Sequence, residues 1–162
     1  MLAYGRGDTG AFEHLYRRHK DGLFAFLYRS LPQHALVEEI AQETWIAVIN
    51  AAADYRPSAK FKTWLYQIAR NKIVDHWRRR DHHSEVPPPE LANQAAEELP
   101  TESELLQAVA SLPAEQRDSL LLREQGFSVR EVADITGTAE ETVKSRIRYG
   151  RKQLQVWLGE QR

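Results

Sequence analysis

Apolar side chains recur every three or four positions along most of the chain, the spacing of helices that each bury one face. Phe12, Leu15, Tyr16, His19, Leu23, Phe26 and Leu27 keep that rhythm. Asp8 or Thr9 is placed to cap this first helix. Leu31-Pro32 ends it, since a residue before proline is pushed out of the helical region. A second helix is predicted from about Ala35 to Ala53, burying Val37, Ile40, Ala41, Thr44, Trp45 and Val48. YRPSAK at 55–60 interrupts the pattern at Pro57, and a third helix follows over 61–80. No two-residue periodicity of useful length appears, so no strands are needed.

Beyond residue 80 the pattern lapses. Residues 81–102 hold four of the seven prolines, several acids and few large apolar groups. That composition predicts an extended or flexible linker, stiffened locally at Pro87–Pro89. Helical spacing resumes over 103–112 and again over 113–125, where Pro113 suits a first turn. Ser128-Val-Arg-Glu131 and Thr138-Ala-Glu-Glu141 both read as capping boxes, and Gly137 between them suits a left-handed helix end. Two helices, about 129–136 and 139–158, thus meet at a short turn, the form of a helix-turn-helix. The expected fold is all-α: a helical domain over 1–80, a flexible acidic linker over 81–102, and a helix-turn-helix domain over 103–162.

Composition narrows the functional classes. The chain has 162 residues and no cysteine, so neither disulfides nor thiolate metal sites are available, which fits a cytoplasmic setting. No run of about 18 apolar residues is present, so no membrane insertion is expected. The opening MLAYGRGDTG lacks an apolar core of signal-peptide length. The net charge of −1 conceals a segregation: residues 1–80 carry +5, 81–116 carry −8 and 117–162 carry +2. Two basic blocks flank an acidic middle, so the overall charge says little about partners.

The basic blocks differ in chemistry. In the last helix Val143, Ile147, Gly150 and Leu154, with Trp157 or Leu158, form an inward stripe, while residues 142–152 carry five bases and no acid. Lys144, Ser145, Arg148, Arg151 and Lys152 lie off the stripe, where a recognition helix presents side chains to base edges in the major groove. Residues 61–80 carry six bases against Asp75 alone, with Trp64, Tyr66 and Trp77 threaded among them. At 100° per residue Phe61, Leu65, Ile68 and Ala69 make a core stripe. Tyr66, Arg70 and Trp77 fall on a second side, and Trp64, Gln67, Asn71 and Arg78 on a third. Rings beside bases and amides suit single-stranded nucleic acid, where bases stack and cations hold phosphates. The tryptophans fit a core role equally well.

From Ser30 to Tyr55 there is no Lys or Arg, leaving Glu38, Glu39, Glu43 and Asp54 unopposed. That stretch reads as a plain acidic surface or as a dock for a basic protein. A metal site is disfavoured, because the Glu-x-x-His pairing of helical di-metal centres is absent. His82-His83 with Asp81 and Glu85 reads as solvated side chains. GxxxxGK is absent, and no local signature marks a nucleophile. No catalytic residue, cofactor or metal is predicted.

Three stretches in order, ALVEEIAQETWIAVI (35–49), YRPSAKFKTWLYQIARNKIVDHWRRR (55–80) and SLPAEQRDSLLLREQGFSVREVADITGTAEETVKSRIRYGRKQL (111–154), strongly resemble bacterial sigma factors of the sigma-70 family. The two-domain layout is similar to the extracytoplasmic-function (ECF) group. The resemblance implies a sigma-2 domain in the first half, a sigma-4 domain over 103–162, and neither region 1.1 nor sigma-3. It implies promoter DNA and core RNA polymerase as partners. Glu38, Glu39, Gln42 and Glu43 would dock the β′ clamp helices, and sigma-4 would pack on the β flap. Tyr55, Phe61, Trp64, Arg70, Asn71, Lys72 and Arg78 would open and read the −10 element. Lys144, Ser145, Arg146, Arg148, Tyr149 and Arg151 would read the −35 element. An anti-sigma factor is a further implied partner. Pro57 departs from the family pattern, which has glycine there, and stiffens that loop. The rival reading is a stand-alone helix-turn-helix regulator that binds duplex DNA as a dimer.

Overall fold

The computed structural model of the chain describes residues 1–83 and 100–160. Among them the structure is helical, without strands: α1 (Leu2–Gly5), α2 (Thr9–Ser30), α3 (His34–Asn50), a 3-10 turn (Ala52–Asp54), α4 (Phe61–His83), α5 (Pro100–Ser111), α6 (Ala114–Glu124), α7 (Val129–Thr136) and α8 (Glu140–Glu160). The predicted third helix runs three residues further, to His83, and α5 starts at Pro100. Residues 84–99 of the expected linker lie outside the described residues.

Local chemistry accounts for several helix ends. The Asp8 carboxylate accepts from the Ala11 N–H and caps α2. Leu31, before Pro32, is extended at φ −120°, ψ 141°. Ser128 and Glu131 make the reciprocal capping box, at 3.1 and 2.9 Å. Gly137 ends α7 at φ 66°, where a Cβ would be strained. Two expectations fail. Pro113 stands just outside α6 as its N-cap, extended at ψ 139°, rather than within its first turn. No capping box between Thr138 and Glu141 forms among the described contacts. The Glu141 carboxylate is taken by Lys144, and the Thr138 hydroxyl lies 3.2 Å from that of Thr136. An exposed carboxylate has a free choice of donors, and an ammonium one turn on wins over a backbone N–H.

α2, α3 and α4 pack together around Leu23, Phe26, Leu27, Val37, Ile40, Val48, Leu65 and Ala69, each at most 1% exposed. Trp45 closes one end, edge-on to Phe12 and Tyr16. α6, α7 and α8 enclose Leu121, Leu122, Val132, Ile135, Val143 and Ile147. These two sets are not separate cores. Tyr66 on α4 meets Phe127 edge-to-face at 5.0 Å, and both sets belong to one continuous apolar cluster.

α1 lies against the 3-10 turn so closely that a Cβ on Gly5 would stand 2.6 Å from the Ala52 carbonyl oxygen. Backbone cannot rotate away as a side-chain tip can. Gly5→Ala is therefore expected to release α1 at a cost of about 1–3 kcal/mol, seen as a lower denaturation midpoint and loss of amide protection confined to residues 1–7 and 51–54.

Candidate nucleic-acid interface

The helix-turn-helix rests on α6. Gly150 of α8 faces Leu120, and a Cβ there would come within 2.7 Å of a Leu120 methyl carbon. This close approach, with Val143 and Ile147 buried, turns one side of α8 inward. Lys144, Arg148, Tyr149, Arg151 and Lys152 are left exposed, and Ser145 half-exposed. Lys144, Arg148, Arg151 and Lys152 line a groove that also takes in Arg123, from the last turn of α6. Arg123 donates to the Phe127 carbonyl, which holds it at the groove wall. The sequence reading missed Arg123; its signal was a base near the end of the helix preceding the helix-turn-helix.

The candidate readers on α8 are not equivalent. The Arg148 guanidinium lies over the Tyr149 ring at 5.2 Å, with no acid paired to it among the described residues. Lys144 gives a 2.8 Å hydrogen bond to Glu141, which raises its pKa and lowers that of Glu141. Arg146 points elsewhere: it is mostly buried and pairs with Glu115 of α6 at 3.3 Å. Its visible work is to brace α8 on α6.

The second surface lies at the start of α4. Ser58 N–H bonds to the Arg56 carbonyl around Pro57, a three-residue turn that suits proline's fixed φ. That turn brings Tyr55 back to Trp64 at a ring separation of 4.8 Å, and Phe61 lies 5.9 Å from Trp64. His19 of α2 backs Phe61 at 5.2 Å; burial, with Arg18 and Lys62 nearby, lowers its pKa and favours the neutral ring. All three aromatic candidates are half-buried. Burial also raises the pKa of the Tyr55 phenol. Trp64 and Phe61 pack on the core while keeping an edge in solvent. Asn71 and Arg78 are exposed further along α4, and Lys72 is half-buried. Trp77 packs against the core with Arg80 over its ring at 5.6 Å.

The side of α4 carrying Tyr66 and Arg70 does not face solvent. Tyr66 is 1% exposed and donates to the Gln125 side chain at 3.1 Å. Arg70 lies 3.5 Å from Asp118 of α6, with both side chains more than four-fifths buried. Lys62 donates to the Gln125 carbonyl and sits over the Phe127 ring at 4.8 Å. Of the basic and aromatic positions on this helix, these three are occupied by the other half of the chain.

On α3, Glu38, Glu39 and Gln42 are exposed and Glu43 half-buried. Ile46 and Ile49 continue that face, 55% and 42% exposed. The sequence reading passed over both, although they fall outside the buried stripe of the helix. Among the described residues no cluster of three metal-ligating side chains occurs, and no helix is long and apolar enough to cross a membrane.

Comparison with known proteins decides what these surfaces belong to. The family model "Sigma-70 region 2" matches residues 15–83, and "Sigma-70, region 4" matches 102–154. RNA polymerase sigma factor CarQ of Myxococcus xanthus is 30% identical over 99% of this chain and 96% of its own. The chain belongs to the sigma-70 family. Within it the likeness is to the ECF group: ECF sigma factor SigM of Mycobacterium tuberculosis is 29% identical, over 98% of this chain and 83% of its own. Among solved structures, CnrH in complex with the cytosolic domain of CnrY superposes with a TM-score of 0.76 at 25% identity, covering 98% of this chain and 96% of that one. Sigma factor RpoE in complex with anti-sigma factor NepR, from Bartonella quintana, gives 0.77 at 24% identity, covering 94% and 99%, a likeness of fold. This sigma factor therefore directs RNA polymerase to promoters, and each basic face lies within one of the two matched regions. The stand-alone dimeric regulator is not favoured, because region 2 has no part in that reading.

Proposed function

We propose that this sigma factor divides its work between residues 1–80, which dock on polymerase and open the −10 element, and residues 103–162, which read the −35 element. Asn71 with the Tyr55–Phe61–Trp64 cluster receives unstacked bases, while Lys72 and Arg78 hold backbone phosphates. Arg70 joins them once it is free of Asp118. Lys144, Ser145, Arg148, Tyr149 and Arg151 enter the major groove at −35, with Arg146 steadying the helix behind them. Glu38, Glu39, Gln42 and Glu43, flanked by Ile46 and Ile49, dock the basic β′ clamp helices, and the second half packs on the β flap. The protein makes and breaks no bonds itself, and it acts in the cytoplasm beside the polymerase. An anti-sigma factor completes the proposed partners, and the solved neighbour CnrH is itself held in a complex, with the cytosolic domain of CnrY.

The observation that carries this reading is the difference between the two faces. One is a half-buried aromatic cluster beside an exposed amide, suited to splayed bases; the other is an exposed run of bases on a helix-turn-helix, suited to closed duplex. The test is run-off transcription with core polymerase on promoters mapped after overexpression. The chain should initiate only where both elements are present. Asn71→Ala should lower open-complex formation on the cognate −10 element by roughly 5- to 100-fold, the worth of a base-specific contact, with −35 binding unchanged. Equal activity on all −10 variants would refute the assignment, and tight binding to a palindromic duplex without polymerase would favour the dimeric regulator.

A further inference from the structure

The two DNA-reading halves are folded onto each other through the very helix that should open the promoter. α4 packs on α7, and α2 packs on α6. A compact chain of 162 residues has a radius of gyration of about 15 Å, so it is roughly 40 Å across. Elements centred near −10 and −35 stand roughly 25 base pairs apart, about 85 Å of duplex at 3.4 Å per base pair. The closed chain cannot reach both. Opening is therefore obligatory under the proposed function, on which this inference rests, and the contacts that break on opening become the control point.

Beside the apolar Tyr66–Phe127 contact, the seam carries several polar contacts. Lys62 reaches the Gln125 carbonyl, Tyr66 the Gln125 side chain, Arg29 the Glu124 carboxylate and Lys60 the Glu131 carboxylate. Among the described residues, only Arg70–Asp118 is a buried ion pair between the halves. The pair is imperfect. At 3.5 Å it is long for a charge-assisted hydrogen bond, and Arg70 Nε is left buried without a proper partner. Burial pushes the Asp118 carboxyl above the usual carboxylate range although Arg70, Arg117 and Arg146 all pull it down. Desolvation thus outweighs the attraction of three cations, the condition in which a buried ion pair adds little net stability but strongly selects one arrangement. Such a contact suits a closure that must also open.

We infer that Asp118 serves as an internal substitute for a DNA phosphate: it occupies Arg70 and latches the promoter-opening helix onto α6, the helix that carries the helix-turn-helix, until polymerase and DNA separate the halves. In the open chain Arg70 regains solvent and the nucleic-acid backbone replaces the carboxylate. The latch keeps the free chain from presenting its −10 reader away from polymerase.

The chain has no cysteine, so a fluorescent donor–acceptor pair can be placed without background at His14→Cys on α2 and Asp134→Cys on α7, both exposed. Wild type should show mainly high energy transfer. Asp118→Asn, which keeps the volume and removes the charge, should raise the low-transfer fraction at least threefold. Apparent affinity for core polymerase should rise by the same factor, because only the open fraction binds. Gln125→Ala, which leaves Asp118 and Arg70 in place, should move the histogram the same way with unchanged far-UV helicity, so that misfolding of one variant cannot imitate the result. A wild-type histogram in Asp118→Asn overturns the latch, and so does loss of fold in Asp118→Asn together with no opening in Gln125→Ala. Transfer is read on the free chain. If the wild type closes as described but fails in run-off transcription, it is the proposed function that falls.

Discussion

Tyr66→Ala is expected to be the most destabilising single truncation on α4. The ring is 1% exposed and wedged between Phe26, at 5.3 Å, and Phe127, at 5.0 Å. Its hydroxyl reaches Gln125, and Gly22 leaves room for it: a Cβ there would lie 3.1 Å from that oxygen. Removing a buried aromatic side chain costs about 3–5 kcal/mol, by lost transfer free energy and the cavity left behind. Here the cavity lies on the seam between the halves, so part of the loss should emerge as opening. Denaturant titration read by two probes, one in each half, checks this. Wild type should give coincident transitions, and Tyr66→Ala separated ones at lower midpoints. Tyr66→Phe keeps the ring and loses only the bond to Gln125, about 0.5–1.5 kcal/mol. It also removes an alkaline dependence. Burial raises the Tyr66 phenol pKa well above its ordinary value of about 10. The raised folded pKa means that its stabilisation is complete below the unfolded pKa and is lost as pH climbs above it. Wild type should lose more stability than Tyr66→Phe above about pH 10; parallel curves would refute the burial of this phenol.

Arg148→Ala is expected to give the largest loss of −35 recognition among the α8 variants. Arg148 is exposed, bears no acid partner among the described residues and lies over Tyr149 in a geometry that restrains its guanidinium. A bidentate contact to guanine is worth about 1–3 kcal/mol, or roughly 5- to 150-fold. Lys144→Ala should cost less, because the Lys144–Glu141 bond must break before Lys144 reaches DNA. Arg146→Ala should act through stability instead, since its partner is Glu115. Binding of the polymerase–sigma complex to promoters varied one base at a time separates these roles. A base contact relaxes preference at one position, whereas a phosphate contact weakens all sites alike and reduces the salt slope by about one. Uniform weakening in Arg148→Ala would move it from base reading to phosphate contact.

Much of the secondary structure was legible before any coordinates. α7 falls on its predicted residues, and the Ser128–Glu131 box and Gly137 sit where the turn chemistry required them. Such features depend on neighbours within four residues, so local spacing carries them. The second box, at Thr138, was misread for the same reason: Lys144 competes for Glu141 from outside the four-residue pattern. Glu38, Glu39 and Gln42 face outward because the apolar stripe of α3 leaves them no other side. Ile46 and Ile49 were missed because an apolar side chain in solvent leaves no periodic mark.

The harder case was α4. Helical projection separated its core stripe from two other sides but could not say what met them. The sequence alone determined that this is an all-α chain with an aromatic-basic helix, an acidic helix and a helix-turn-helix, because periodicity, caps and turn residues are local properties. Only the tertiary structure decided which bases are free. Arg70 and Arg146 have the same charge and helical setting as Arg148, yet Asp118 and Glu115 take the first two and leave the third exposed. Asp118 is 48 positions from Arg70 in the chain. No spacing rule spans that distance; the pairing exists because burying Tyr66 against Phe127 brings α4 onto the second half of the chain.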